Sequence, residues 1–173
     1  MMKKLVILIL LLILTGSIFA QGSLVTAGVS VGSGFPFMVS FAGFFEYEYM
    51  FSPFVSMGLH TSLIWYPFAI FLGFENDGNG SLGYAITPTL HVFPFGRTFH
   101  VDLGLGFGSV FEGYPGLVIA SGFGWKIPLG NSGVWLSLGV MADLFMPFKR
   151  GLFGDMVLFP FNAMIEPGLG FSL

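Results

Sequence analysis

The chain has 173 residues and a formal net charge of −3, with 54% hydrophobic but only 9% charged residues. Soluble domains carry about 25% charged residues, so this composition excludes an ordinary water-soluble surface. The absence of cysteine excludes disulfides, thiolate metal sites and the lipid attachment point of a bacterial lipoprotein.

Residues 1–20 have the order of a secretory signal peptide. Lys3 and Lys4 come first, an apolar run follows over 5–14, and a polar stretch leads to Ala20. The run is short for a membrane-spanning helix, which needs about 20 apolar residues. We therefore predict cleavage after Ala20; an uncleaved anchor helix is the alternative.

The predicted mature domain, 21–173, has four basic residues against nine acidic ones, so no basic patch is present to bind nucleic acid. It contains no uninterrupted apolar run of the roughly 18 to 20 residues that a spanning helix requires. Its many glycines and phenylalanines disfavour helices and favour strands. A closed barrel is the other structure that satisfies every backbone polar group in hydrocarbon.

Eight segments alternate between apolar residues and small or polar ones, as transmembrane strands of about 9 to 11 residues do. They cover residues 24–35, 38–51, 54–66, 81–93, 98–110, 117–127, 134–145 and 157–173. In the clearest segment, 98–110, Val101 and Leu103 alternate with His100 and Asp102. We predict an all-β fold: an eight-stranded antiparallel up-and-down transmembrane β-barrel.

The ionisable residues within these segments share the inward phase of the alternation. They are Glu46, Glu48, His60, His91, His100, Asp102, Lys126, Asp143 and Glu166. A charge on the lipid face at mid-depth costs about 2–4 kcal/mol, so a barrel must place charges inside. We predict a polar network in the lumen in which acids pair with Lys126 and the histidines. A proton- or cation-conducting path along these acids is the alternative.

The connections alternate between short and long, as in barrels with periplasmic turns and outer loops. Short turns are predicted at 52–53, 94–97 and 128–133, longer loops at 67–80 and 146–156, and a modest loop at 112–116. Both chain ends then lie in the periplasm. Trp135 is an exception because it falls on the inward phase: either it plugs the periplasmic mouth, or the register slips there.

Many inward positions are glycine, and two interpretations remain open. Glycine lets a small barrel curve tightly; alternatively, the glycines at 104, 106, 108, 122 and 124 leave a void for a small ligand. An eight-stranded barrel is just wide enough to be filled by side chains. Phe44, Tyr66, Phe93 and Met164 are available to fill that space.

On this strand count, alternation and loop order, the mature chain resembles the OmpA/OmpX-type eight-stranded outer-membrane barrels of Gram-negative bacteria. The last residues, Leu169, Phe171 and Leu173, look like the terminal signal read by the barrel assembly machinery, although the usual last residue is Phe. The resemblance implies outer-membrane lipid, that machinery and periplasmic chaperones as partners, and a monomer.

We expect a structural or cell-surface interaction role with a side-chain-filled lumen. The first alternative is a narrow ion channel or small-ligand carrier that uses the acidic lumen. The second is a lipid-modifying enzyme, for which His60 with Ser62 or His100 with Asp102 are the available pairs. Histidines on three separate segments give no metal-ligand signature, so no catalytic, cofactor or metal residues are predicted.

Overall fold

The computed structural model describes residues 22–35, 38–67, 81–109, 115–148 and 161–173. These residues form eight strands, which confirms the predicted number. The strands are β1 (Ser23–Phe35), β2 (Met38–Ser52), β3 (Val55–Tyr66), β4 (Ser81–Val92), β5 (Phe99–Ser109), β6 (Pro115–Pro128), β7 (Val134–Pro147) and β8 (Phe161–Ser172). Each strand pairs antiparallel with the next, and β8 pairs with β1 to close the barrel.

Among the described residues, the strand ends differ from the prediction by more than one residue in two places. β6 begins at Pro115, so Pro115 and Gly116 pair with Ser109 and Gly108 instead of forming part of a loop. β7 continues to Pro147, past the predicted start of the long loop. The predicted strand residues 157–160 lie outside the described residues. In both described cases the apolar and small alternation continues further than the segment boundaries suggested.

Alternation decides which side of the sheet each residue occupies. Along β2 and β5 the outward side chains are exposed and apolar, while the inward ones are buried. Leu105 and Phe107 are 62% and 61% exposed on the outside. An apolar outer surface of this kind requires a lipid environment, because exposed apolar area is unfavourable in water. No helix long and apolar enough to span a membrane is found among the described residues.

Three tight connections lie at one end of the barrel, at residues 53–54, 93–98 and 129–133. We call this the turn end; β1 begins there and β8 ends there. Gly96 and Gly130 adopt φ angles of 83° and 68° within these turns, a conformation that residues with a Cβ rarely adopt. The opposite end, the loop end, carries the other four connections. The predicted alternation of short and long connections therefore corresponds to two different ends of the barrel.

Two outward-facing prolines interrupt the hydrogen-bond ladders between strands. The β4–β5 pairing has no partners at Thr87 and Pro88, and the β8–β1 pairing has none at Glu166 and Pro167. Proline lacks the N–H that would donate across these seams. The register is the same on both sides of each gap, so the barrel stays closed.

The inward glycines mark close backbone approaches. A Cβ added at Gly106 would lie 2.1 Å from the carbonyl oxygen of Ile86, and one at Gly28 would lie 2.2 Å from that of Pro167. Real Cβ atoms do not come this close to a backbone oxygen. At these positions glycine therefore permits tight coiling of neighbouring strands, and the alternative of an internal void is wrong at Gly106.

Candidate functional site

All nine ionisable residues predicted to face the lumen are buried, none with more than 7% of its surface exposed. Eight of them lie in the half of the lumen nearer the turn end. We call these eight the charged cluster: Glu46, Glu48, His60, His91, His100, Asp102, Lys126 and Glu166. The ninth, Asp143, lies nearer the loop end, where its cross-strand partners are Ala120 and Asn162.

Lys126 and Glu48 form a buried ion pair across the lumen, from β6 to β2 on opposite sides of the barrel. Lys126 Nζ donates to Glu48 Oε2, and Ser56 Oγ donates to Glu48 Oε1 at 2.5 Å. The ammonium also lies 5.6 Å from the centre of the Phe93 ring. Both carboxylate oxygens of Glu48 are therefore satisfied, which a buried charge requires.

Asp102 brings two histidines together. His91 on β4 is its cross-strand partner, and His100 lies two residues away on the same face of β5. Nδ1 of each imidazole lies 2.7 Å from the same oxygen, Asp102 Oδ1. The two rings meet edge to face, with centroids 5.8 Å apart. Three atoms that can bind a proton or a metal thus converge at one buried point.

A second set of polar atoms is close without being hydrogen-bonded. His91 Nε2 lies 2.9 Å from Glu46 Oε1, and His60 Nε2 lies 3.8 Å from Glu166 Oε1. None of these four atoms has a hydrogen-bond partner among the described residues, because the first contact has unsuitable angles and the second is too long. Buried polar atoms left in this state are costly, so this side of the charged cluster has capacity for another polar group.

The turn end opens into a cavity of about 240 Å³. Its walls include Glu48, Phe93, Lys126, Trp135 and Ser172. Trp135 faces inward in an unbroken register, and its Nε1 donates to Ser172 Oγ at 2.8 Å. The alternative of a register slip at Trp135 is therefore wrong, and the indole covers part of this mouth.

Deeper in the lumen, a cavity of about 20 Å³ lies inside the charged cluster. Glu46, His60, His100, Asp102 and Glu166 are among the residues that line it. This volume is close to that of one water-sized probe. The cavity therefore has room for about one water molecule.

The two residue pairs weighed for catalysis differ in the structure. His100 and Asp102 are in contact, whereas Ser62 Oγ has no hydrogen-bond partner among the described residues. A serine nucleophile needs a base within hydrogen-bonding distance. His60 and Ser62 therefore do not form the pair that acyl transfer requires, and the lipid-modifying alternative is not favoured.

Two contributors to the charged cluster were missed at the sequence level. Ser56, which donates to Glu48, was not singled out from the sequence, and Phe93, which lies against Lys126, was named only as a side chain that fills the lumen. The signal that identifies Ser56 is register: it pairs with His91 and lies diagonally across from Glu48. The alternation of segment 81–93 placed Phe93 on the inward side, but its contact with Lys126 on β6 has no signal in the sequence.

Leu169 and Phe171 face outward on β8, and Leu173 follows at the end of the chain. They are exposed, and the backbone N–H of Leu173 donates to the carbonyl of Ser23 at 2.9 Å. The three side chains thus form an apolar edge beside the β1–β8 seam at the turn end. Their role as an assembly signal stays a prediction.

No protein-family model matches the sequence, and a comparison with curated proteins found no match. Solved structures do match over almost the whole barrel. Neisserial surface protein A is 10% identical, covers 87% of this chain and 97% of its own, and has a TM-score of 0.62. Ail, the attachment invasion locus protein of Yersinia pestis, is 10% identical with a TM-score of 0.54, over 88% of this chain and 98% of its own.

A second structure of Ail, in complex with the heparin analogue sucrose octasulfate, has a TM-score of 0.53 at 11% identity, over 88% of this chain and 99% of its own. At such low identity the similarity concerns the fold alone. The chain has the fold of small, eight-stranded, transmembrane outer-membrane barrels.

Proposed function

We propose that the protein is an integral outer-membrane barrel with a structural or cell-surface interaction role. Its lumen is filled by side chains, and its transmembrane part anchors the connections at the loop end. The observation that carries this proposal is the packing of the lumen, because a filled barrel has no space for solute transfer. The proposal includes export by the N-terminal segment with cleavage after Ala20, and assembly guided by Leu169, Phe171 and Leu173.

Large side chains block the lumen near the loop end. Ile64, Tyr66, Val118, Phe145 and Met164 are each at most 2% exposed. Side chains packed at this density leave few voids larger than a water molecule. Toward the turn end, the Lys126–Glu48 pair spans the lumen at the wall of the 240 Å³ cavity, and Trp135 covers part of the mouth of this cavity. This filling argues against the narrow-channel and ligand-carrier alternatives.

The orientation follows from the connections. Outer-membrane barrels have short periplasmic turns and longer external loops, so the turn end belongs in the periplasm and the loop end at the cell surface. Exposed loops on a rigid scaffold are where binding residues concentrate. Ail, whose fold this chain shares, is described as an attachment and invasion protein, which makes attachment the surface interaction to test first.

Tag accessibility tests both membrane residence and orientation. A short epitope inserted between Gly78 and Asn79 is expected to bind antibody on intact cells. The same epitope between Asn131 and Ser132, in a turn-end connection, is the matched control and is expected to bind only after the outer membrane is permeabilised. Equal labelling of both tags on intact cells, or of neither after permeabilisation, would contradict the proposal.

Conductance tests the filled lumen. The purified barrel in a planar lipid bilayer is expected to give no discrete current steps. Ion-selective steps that disappear in Asp102→Asn would overturn the structural role in favour of a channel through the charged cluster. Heat-dependent gel mobility of the same preparation verifies that the barrel is folded in each case.

A further inference from the structure

We propose that His91, His100 and Asp102 form a buried site for one divalent transition-metal ion, with Zn²⁺ as the ion to test. The ligand atoms are Nδ1 of both imidazoles and Oδ1 of Asp102. Imidazole nitrogen and carboxylate oxygen are ligands that Zn²⁺ and neighbouring first-row metals accept. This inference goes beyond the proposed membrane role, and failure of the metal site would leave that role unaffected.

The three atoms already converge. All lie within 4.8 Å of one another, and both nitrogens lie 2.7 Å from the shared oxygen. Tetrahedral Zn²⁺ with bonds of about 2.0–2.1 Å separates its ligand atoms by roughly 3.3 Å. The carboxylate and imidazoles therefore need to move apart by only about half an ångström. Because all three residues lie on the adjacent strands β4 and β5, the sheet holds their backbones in place.

Two glycines on neighbouring strands make room for the imidazoles. A Cβ at Gly58 on β3 would lie 2.7 Å from His91 Nε2, and one at Gly124 on β6 would lie 2.8 Å from His100 Nε2. Any larger residue at either position would push a ring away from Asp102. The space for both rings thus depends on strands that flank the ligand-bearing pair.

A fourth ligand position lies beside the three. The 20 Å³ cavity in the charged cluster borders His100 and Asp102 and has the volume for one water. Zn²⁺ sites with three protein ligands complete their tetrahedron with a water molecule. The cavity therefore supplies the open position that a three-ligand site requires.

Glu46 occupies the place of an outer-shell carboxylate. Metal-bound histidines donate their other ring N–H to a carboxylate or carbonyl, which fixes the tautomer and the ring orientation. His91 Nε2 faces Glu46 Oε1 at 2.9 Å, and neither atom has a hydrogen bond in the present arrangement. A small rotation of the His91 ring toward a metal would complete this contact.

Charge also favours a cation here. The buried inward residues include five carboxylic acids and one lysine, Lys126. Lys126 already contacts Glu48, which leaves Glu46 and Asp102 to the histidines. A second possible ligand set, Glu46, Glu48 and His91, also converges. It is less suited to a metal because Lys126 and Ser56 already engage both oxygens of Glu48.

An entry route leads from the turn end. The 240 Å³ cavity extends to Phe93, whose ring centroid lies 5.7 Å from that of His100. Phe93 thus separates the open cavity from the ligand atoms.

Metal titration of the complete mature chain, folded in detergent micelles, tests the proposal. Zn²⁺ is expected to bind at one ion per chain, and Co²⁺ in its place is expected to give the strong visible absorption of a tetrahedral complex. His100→Gln and Asp102→Asn are each expected to weaken binding at least about tenfold, as does Glu46→Gln through the outer shell. Asp143→Asn is the matched control for Asp102→Asn, because Asp143 is a buried lumen acid that belongs neither to the charged cluster nor to the lining of the 20 Å³ cavity. The metal affinity of this variant should stay unchanged.

The absence of saturable binding at one ion per chain in the wild-type barrel would overturn the proposal. Equal loss of affinity in Asp143→Asn and Asp102→Asn would also overturn it, because binding would then reflect general lumen charge. Gel mobility without boiling shows whether each variant is folded. If the ligand variants do not fold, the wild-type Co²⁺ spectrum decides, since a weakly absorbing octahedral aqua ion excludes the site.

Discussion

The two halves of the lumen solve the same packing problem with different chemistry. Near the loop end the interior is filled mostly by apolar side chains such as Ile64, Val118 and Phe145. Asp143 and a hydrogen bond from Ser40 to Asn162 Oδ1 at 2.9 Å are polar features of this half. Near the turn end the interior is filled by the charged cluster, with the Glu48–Lys126 pair and the His91–Asp102–His100 group at its centre. The outer surface is apolar beside both halves.

The difference shows what a narrow barrel requires of its interior. Apolar side chains need only shape complementarity, so they fill the loop half without specific partners. Charged side chains need partners at defined positions, and the turn half supplies them from strands on opposite sides of the barrel. We therefore expect the stability of the barrel to depend on side-chain volume in the half of the lumen near the loop end (the loop half). In the half near the turn end (the turn half), it should depend on whether each charged side chain keeps its partner.

The largest effect is expected where a buried pair is broken. Lys126→Met keeps the length of the side chain but leaves Glu48 without a cation, which should lower the free energy of unfolding by about 3–5 kcal/mol. Urea unfolding of the barrel in lipid vesicles, followed by gel mobility, measures the change. The double variant Lys126→Met with Glu48→Leu removes both charges and should recover most of the loss. A loss below about 1 kcal/mol in the single variant would contradict the role assigned to pairing.

A charge introduced on the lipid face tests whether the apolar outer surface that surrounds both halves of the lumen is embedded in the membrane. Leu105→Arg places a charge at mid-depth on β5 and is expected to cost about 2–4 kcal/mol. Leu129→Arg, in a turn-end connection, is the control and should cost no more than about 1 kcal/mol. The same unfolding measurement applies. Similar values for both variants would show that the apolar surface is not a membrane-spanning belt.

A smaller loss in the free energy of unfolding is expected when a buried side chain in the loop half is shortened. Ile64→Val removes one methylene from a fully buried position and should cost about 0.5–1.5 kcal/mol. Ile86→Val is the same change on the lipid side, where Ile86 is 48% exposed and lipid fills the space. It should therefore cost less than Ile64→Val. The reverse order would place the packed interior on the wrong side of the sheet.

The smallest effect is expected at the ladder gaps, which lie at mid-depth between the two halves. Pro167→Ala restores an N–H opposite β1, and one additional hydrogen bond contributes about 0.5–1.5 kcal/mol. Part of this gain is lost because alanine has more freedom than proline in the unfolded chain. Hydrogen exchange of the facing β1 amides should slow in the variant. Unchanged exchange would mean that the missing N–H does not cause the gap.

The strand number and the sidedness of each residue were predictable from the sequence. Both follow from a local rule: successive side chains point to opposite faces, and lipid outside forces charges inside. Glu46, His100 and Lys126 could be assigned to the lumen in this way without knowledge of any partner. Trp135 was ambiguous because an aromatic ring suits either side near a rim, and only its bond to Ser172 resolved the choice.

What only the tertiary structure decided is which inward residues meet. His91 and His100 are separated by a turn, and Glu48 and Lys126 by much of the chain, so neither contact has a local signature. The histidine contact depends on the β4–β5 register, and the Glu48–Lys126 contact depends on closure of β8 against β1, which fixes the stagger of the whole barrel. The sequence by itself therefore determined the membrane barrel and the content of its lumen. The β4–β5 register determined that two histidines share one carboxylate, and closure determined that a lysine reaches an acid across the lumen.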